Sequence, residues 1–149
     1  MLKLSKLTDY ATVILGFMAR DNRQVRAAVE IAAATGIALP TVSKIMKLLV
    51  NADILLSTRG AKGGYALARA PEKITVAAVI CALEGPIALT ECSLSRQGCE
   101  GASGCGIHAN WSLINRTIHN ALESVTLADL IRPVAVPEEV MIPIESLYR

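Results

Sequence analysis

Three cysteines and a histidine stand in the pattern Cys92-x6-Cys99-x5-Cys105-x2-His108. Thiolates are soft donors that select zinc, copper(I) or iron–sulfur clusters. Glycines punctuate the span at Gly98, Gly101, Gly104 and Gly106, so the backbone can wrap an inorganic centre and aim N–H groups at sulfur. Zinc fingers normally pair their cysteines at tighter spacing. The longer intervals here suit an iron–sulfur cluster better, with zinc and free or disulfide-forming thiols as the alternatives. Cys81 is different in kind: it lies between Ile80 and Leu83 in an apolar helical run and reads as a buried small hydrophobe.

A second group of residues carries charge rather than metal chemistry. Lys44, Lys47, Arg59 and Lys62 fall close together, while acids gather late, at Glu123, Asp129, Glu138 and Glu139. The net charge is only +2, so distribution, not the sum, argues for a polyanionic partner. Thr41, Ser43, Lys44 and Lys47 follow Pro40 in a helical run and are candidates for base or phosphate contacts. Arg59 and Lys62 lie in the turn Arg59-Gly60-Ala61-Lys62-Gly63-Gly64, where glycines let a loop lie flat against a phosphate backbone and an arginine reach a minor groove.

The elements that position these groups can be read from periodicity. Leu7, Ala11, Ile14, Leu15 and Met18 recur at helical spacing between Ser5 and Arg20. A second helix spans about Ala27 to Thr35 and ends at Gly36. A third opens at Pro40 and turns Val42, Ile45, Met46, Leu48 and Leu49 inward. Two short helices joined by a glycine turn make a helix-turn-helix. The strands Ile54–Thr58 and Tyr65–Ala68 that follow make a hairpin, and a hairpin in that place is a wing. Thr75 caps a helix from Val76 to Glu84. Residues 85–107 lose periodicity, and so long a loop in a small domain needs a reason for order, which a metal would supply.

A long helix then runs from about His108 to Ser124, with Trp111, Ile114, Ile118, Leu122 and Val125 as an apolar stripe suited to a dimer seam. Thr126-Leu127-Ala128-Asp129 is a capping box with Asp in the Glu position, and its short helix reaches about Ile131. Pro133, Pro137 and Pro143 make the remainder irregular. The expected organisation is therefore a winged helix-turn-helix domain at 1–84, a cysteine loop at 85–107, dimerisation helices at 108–132 and a tail at 133–149. The class is mainly α with a small β-hairpin.

Composition bounds the rest. With 52% hydrophobic and 3% aromatic residues, the core must be aliphatic, which favours packed helices. No apolar run with a cleavage site opens the chain, and none reaches membrane-spanning length without charge, so a cytosolic protein with no membrane partner is expected. Cytosolic thiols stay reduced, which again points the cysteines toward metal. No Ser-His-Asp arrangement stands out, the chain has two histidines, and the Gly-rich segment lacks the spacing of a phosphate loop, so no enzyme is expected.

These residues resemble the iron–sulfur-sensing winged-helix transcription regulators of the IscR and NsrR types, over about residues 1–132. The likeness is carried by Leu4-Ser5-Lys6-Leu7-Thr8-Asp9-Tyr10-Ala11, by Ile31-Ala32 with Gly36-Ile37, and by Arg59 to Tyr65. The three cysteines, His108 and Thr126-Leu127-Ala128-Asp129-Leu130 complete it. More narrowly, the chain is similar to the branch that controls the Suf cluster-assembly operon. The resemblance implies a homodimer on a palindromic double-stranded operator, repression that depends on cluster state, and Tyr10 among the DNA-contacting residues. It also implies two possible fourth ligands. His108 is the IscR-like choice for a [2Fe-2S] site; Asp9, reaching across from the partner subunit, is the NsrR-like choice for a [4Fe-4S] site. The short loop from Cys105 favours His108. At the start of the recognition helix Pro40 and Ser43 depart from the IscR pattern, so operator preference should differ. The alternatives are a nitric-oxide or redox-sensing repressor of the same fold, and a winged-helix regulator with structural zinc.

Overall fold

The computed structural model describes residues 3–90, Ser93 and residues 106–133, with backbone alone for His108 and Ala109. Among the described residues the order is α1 (Lys6–Ala19), α2 (Ala28–Thr35), α3 (Leu39–Asn51), β1 (Leu55–Thr58), β2 (Gly64–Leu67), a 3-10 turn (Pro71–Lys73), α4 (Val76–Glu84), α5 (His108–Glu123) and α6 (Leu127–Ile131).

α1 begins where Ser5 leaves the extended region and its hydroxyl accepts from the Thr8 N–H, satisfying a donor the helix cannot. Its apolar positions turn Ala11, Ile14, Leu15 and Met18 fully inward. α2 is held at its start by the Glu30 carboxylate, which accepts from the Ala27 N–H at 2.8 Å. It ends at Gly36, whose φ of 71° is the left-handed cap that glycine adopts without strain. The axes of α2 and α3 turn through 119° across this break, the angle of a helix-turn-helix.

α3 opens at Leu39, one residue before the expected start, because Ala38 supplies the last extended residue and Pro40 fits the second helical position. Its buried side is Val42, Ile45, Met46 and Leu49; Leu48, expected inside, is half-buried. Asp53, with φ of 55°, turns the chain from α3 into β1, a left-handed position that aspartate tolerates.

β1 and β2 pair antiparallel with Leu55 opposite Leu67 and Thr58 opposite Gly64. The second strand therefore starts at Gly64 rather than Tyr65 and stops at Leu67. Pairing also reaches back to the second residue before α2: the Arg26 and Tyr65 backbones exchange two hydrogen bonds at 2.9 Å each. This third edge fixes the wing to the helix-turn-helix.

The core unites α1, α3, α4 and the hairpin and includes Leu127 of α6. A backbone stitch explains the last member. The Val76 N–H donates to the Val125 carbonyl at 2.9 Å, and the Leu127 N–H donates to the Ile74 carbonyl at 2.8 Å. At Thr126, the capping box read from the sequence is present, with Asp129 accepting from the Thr126 N–H at 2.9 Å. No single helix among the described residues is long and apolar enough to cross a membrane.

Candidate nucleic-acid interface

α3 separates its two faces by chemistry. With the apolar face buried, Ser43, Lys44 and Lys47 are exposed on the opposite one and Thr41 is half-buried beside them. Its first turn carries no acid. In the wing, Arg59 and Lys62 are both exposed. Among the described residues the one ion pair is Arg132 to Asp129, so none of Lys44, Lys47, Arg59 and Lys62 is neutralised by a neighbour. Unpaired cations on a helix and on an adjacent hairpin are suited to phosphate oxygens.

A recess of about 450 Å³ lies between the wing and the start of α2, walled by Ser57, Thr58, Arg59, Gly60 and Ala28. Two of the wing glycines are also required by packing. A Cβ on Gly63 would stand 2.3 Å from the Thr58 carbonyl oxygen, and one on Gly64 would stand 2.5 Å from that of Arg26.

Tyr10 sits half-buried on α1 against the core, with the Lys6 ammonium 5.4 Å from its ring centre.

The candidate metal ligands are divided differently. Cys92, Cys99 and Cys105 lie outside the described residues, and for His108 only the backbone is placed, as the first residue of α5. Asp9 is exposed in the first turn of α1. Cys81 is a free thiol on α4, half-buried rather than fully buried as expected, because its helix position faces partly outward between the buried Ile80 and the half-buried Ala82. Among the described residues no three His, Cys, Asp or Glu side chains gather as a metal site.

The described residues flanking the cysteine segment are tied down at several points. Glu84, the last residue of α4, reaches back to the start of α1 and accepts from the Thr8 hydroxyl and from the Ser5 N–H, the latter at 2.8 Å. These donors hold the Glu84 carboxyl below its ordinary value, the Thr8 hydroxyl contributing most. Beyond it, Asn115 of α5 clasps the chain, accepting from the Leu89 N–H at 3.0 Å and donating to the Ile87 carbonyl at 3.1 Å. The sequence reading missed Arg26, Glu84 and Asn115. Nothing in local spacing pairs residues 79 or 28 positions apart.

α5 leaves part of its stripe uncovered. Ile118 and Leu122 are half-buried, but Trp111 is 37% and Ile114 43% exposed.

A helix set at a steep angle to its partner, followed by a cationic wing, defines a winged-helix fold. The chain belongs to the Rrf2 family, described as iron-dependent transcriptional regulators, whose profile matches residues 4–133. It is 33% identical to the HTH-type transcriptional regulator IscR of Erwinia tasmaniensis over 96 residues, 64% of this chain and 58% of that protein. The match thus spans about three-fifths of the length of such IscR relatives. It is 32% identical to protein rrf2 of Nitratidesulfovibrio vulgaris over 132 residues, 88% of each. Among solved structures it is similar to CymR, the global cysteine regulator of B. subtilis, with a TM-score of 0.68 and 30% identity over 88% of this chain and 97% of that one. The T. potens IscR structure aligns with a TM-score of 0.65 and 26% identity over 99% of this chain and 97% of that one.

Proposed function

We propose that the chain is a homodimeric repressor, acting in the cytoplasm, whose grip on operator DNA is set by an iron–sulfur cluster. Cys92, Cys99, Cys105 and His108 would hold it as a [2Fe-2S] site, with the partner subunit's Asp9 as the alternative fourth ligand of a [4Fe-4S] site. Its targets are cluster-assembly genes of the Suf type, as the resemblance in the sequence implies. The observation that carries the DNA-binding half is the set of exposed cations on α3 and the wing, none of them ion-paired among the described residues.

The donor set fits a cluster by its chemistry. Three thiolates with one imidazole or carboxylate suit iron–sulfur ligation, and Asp9 is exposed at an N-terminal turn, open to a second subunit. When bound, a cluster supplies a centre that gains and loses electrons and whose loss frees its thiolates.

This chain's own residues provide the transmission. The cysteine segment starts just after Glu84, which grips Ser5 and Thr8 at the head of α1. Its first residues are held to α5 by Asn115. A rearrangement of residues 85–107 is therefore felt both by α1, which packs on the reading helices, and by α5, whose uncovered Trp111 and Ile114 suit a second copy. Coupling through such ties is typically about 1–3 kcal/mol, roughly 5–150-fold in affinity.

The test is anaerobic purification followed by a visible spectrum, iron and sulfide per chain, and operator-binding curves before and after cluster removal. Coloured protein with matching iron and sulfide, and two separated curves, are expected. Superimposed curves would remove the regulatory half while leaving the DNA-binding half. A colourless protein containing zinc would make the metal structural.

A further inference from the structure

A groove of about 510 Å³ runs between α1, the end of α2 and α6. Its apolar wall includes Val13 and Phe17 of α1 and Leu130 and Ile131 of α6, with Val13 48% and Leu130 49% exposed. Gly16 forms part of its lining: a Cβ there would meet only the Ile131 side chain, at 3.7 Å. A mid-helix glycine weakens a helix, and this one leaves the groove open. Arg20 stands on the rim and has no ion pair among the described residues.

α6 ends in this wall. Arg132 follows with φ of −66° and ψ of 130°, extended backbone, and then Pro133. Residues 134–149 come next and lie outside the described residues. They carry Val134, Val136, Val140, Met141 and Ile142, and three carboxylates, Glu138, Glu139 and Glu145, against the single cation Arg149. Proline fixes its own φ, so the prolines at 133, 137 and 143 lower the entropy a chain loses on docking.

We propose that this groove is the docking site of the chain's own C-terminal segment, residues 134–149, with its valines against Val13 and Leu130 and its glutamates toward Arg20. Two arguments select this occupant over a second copy. Only two residues separate the segment from the groove wall, so its effective concentration there is in the millimolar range, while six extended residues reach about 20 Å. Its negative charge also complements the one unpaired cation of the rim among the described residues.

The experiment is cleavage of the folded 149-residue chain by a glutamate-specific protease, followed at Glu138 and Glu139. Wild type is compared with Gly16→Leu, which fills the groove and favours the helix, with Val13→Glu at an exposed position, and with the free peptide of residues 134–149. Cleavage at Glu72, exposed in the 3-10 turn, reports an intact fold if it is unchanged. Wild type should be cut at Glu138 and Glu139 about tenfold more slowly than the peptide, with both variants losing that protection. Wild type cut as fast as the peptide overturns the proposal. Protection kept in both variants also overturns it. Protection that grows with protein concentration overturns it in favour of a second copy.

Discussion

Gly64→Ala tests how the wing is attached. An alanine Cβ would stand 2.5 Å from the Arg26 carbonyl oxygen and 2.7 Å from the carbonyl carbon, both backbone atoms that no side-chain rotation can move. Relief to ordinary contact needs a separation of roughly 1 Å between β2 and the residues before α2. The two hydrogen bonds that Arg26 and Tyr65 exchange there are 2.9 Å long. A 1 Å displacement carries both beyond the range of useful bonds. Each contributes about 0.5–1.5 kcal/mol net, so the expected loss is about 1–3 kcal/mol. Urea unfolding with the slope held in common should show it as a lower midpoint. Operator affinity should fall as well, because the wing loses its anchor to the helix-turn-helix. A change in stability below about 0.5 kcal/mol, the range of ordinary surface substitutions, would refute the steric reasoning. Gly60→Ala is the contrast: nothing lies within 4 Å of its Cβ, but its φ of 116° strains any other residue, so its penalty arises from the backbone alone.

Arg59→Ala should weaken operator binding across all sequences and reduce the salt slope by about one, and an unchanged slope in a salt titration would remove Arg59 from the interface. Ile14→Ala, at a fully buried position between α1 and the rest of the core, should cost about 2–5 kcal/mol in denaturant unfolding. For Glu84, hydrogen bonds from the Thr8 hydroxyl and the Ser5 N–H lower the folded-state pKa. The associated stability is present above the ordinary glutamate range and is lost as pH falls through the folded value. Because Glu84 is exposed, the effect should stay below about 1 kcal/mol. It should appear as a difference in pH dependence between wild type and Glu84→Gln over the acid range, and parallel pH profiles would rule it out. Thr126→Ala removes a side-chain cap that accepts from the Asp129 N–H and should lower stability by about 1 kcal/mol, read as a shift in the urea midpoint.

The sequence by itself determined the helices, the wing and the division of α3 into a buried and a cationic face, because these depend on local periodicity, caps and turn residues. Ser5, Gly36, Thr75 and Thr126 mark element ends where the structure has them. It also placed the cysteine motif, whose chemistry lies in residue type and spacing. What only the tertiary structure decided are the ties between distant segments: Arg26 completing the wing, Glu84 capping α1, Asn115 clasping Ile87 and Leu89, and Leu127 joining the common core. Each pairs groups that no spacing rule connects, since their meeting depends on how whole helices pack. The tertiary structure likewise gave Gly63 and Gly64 a second role: turn chemistry calls for glycine there, but only the nearby backbone of Thr58 and Arg26 leaves no room for a side chain.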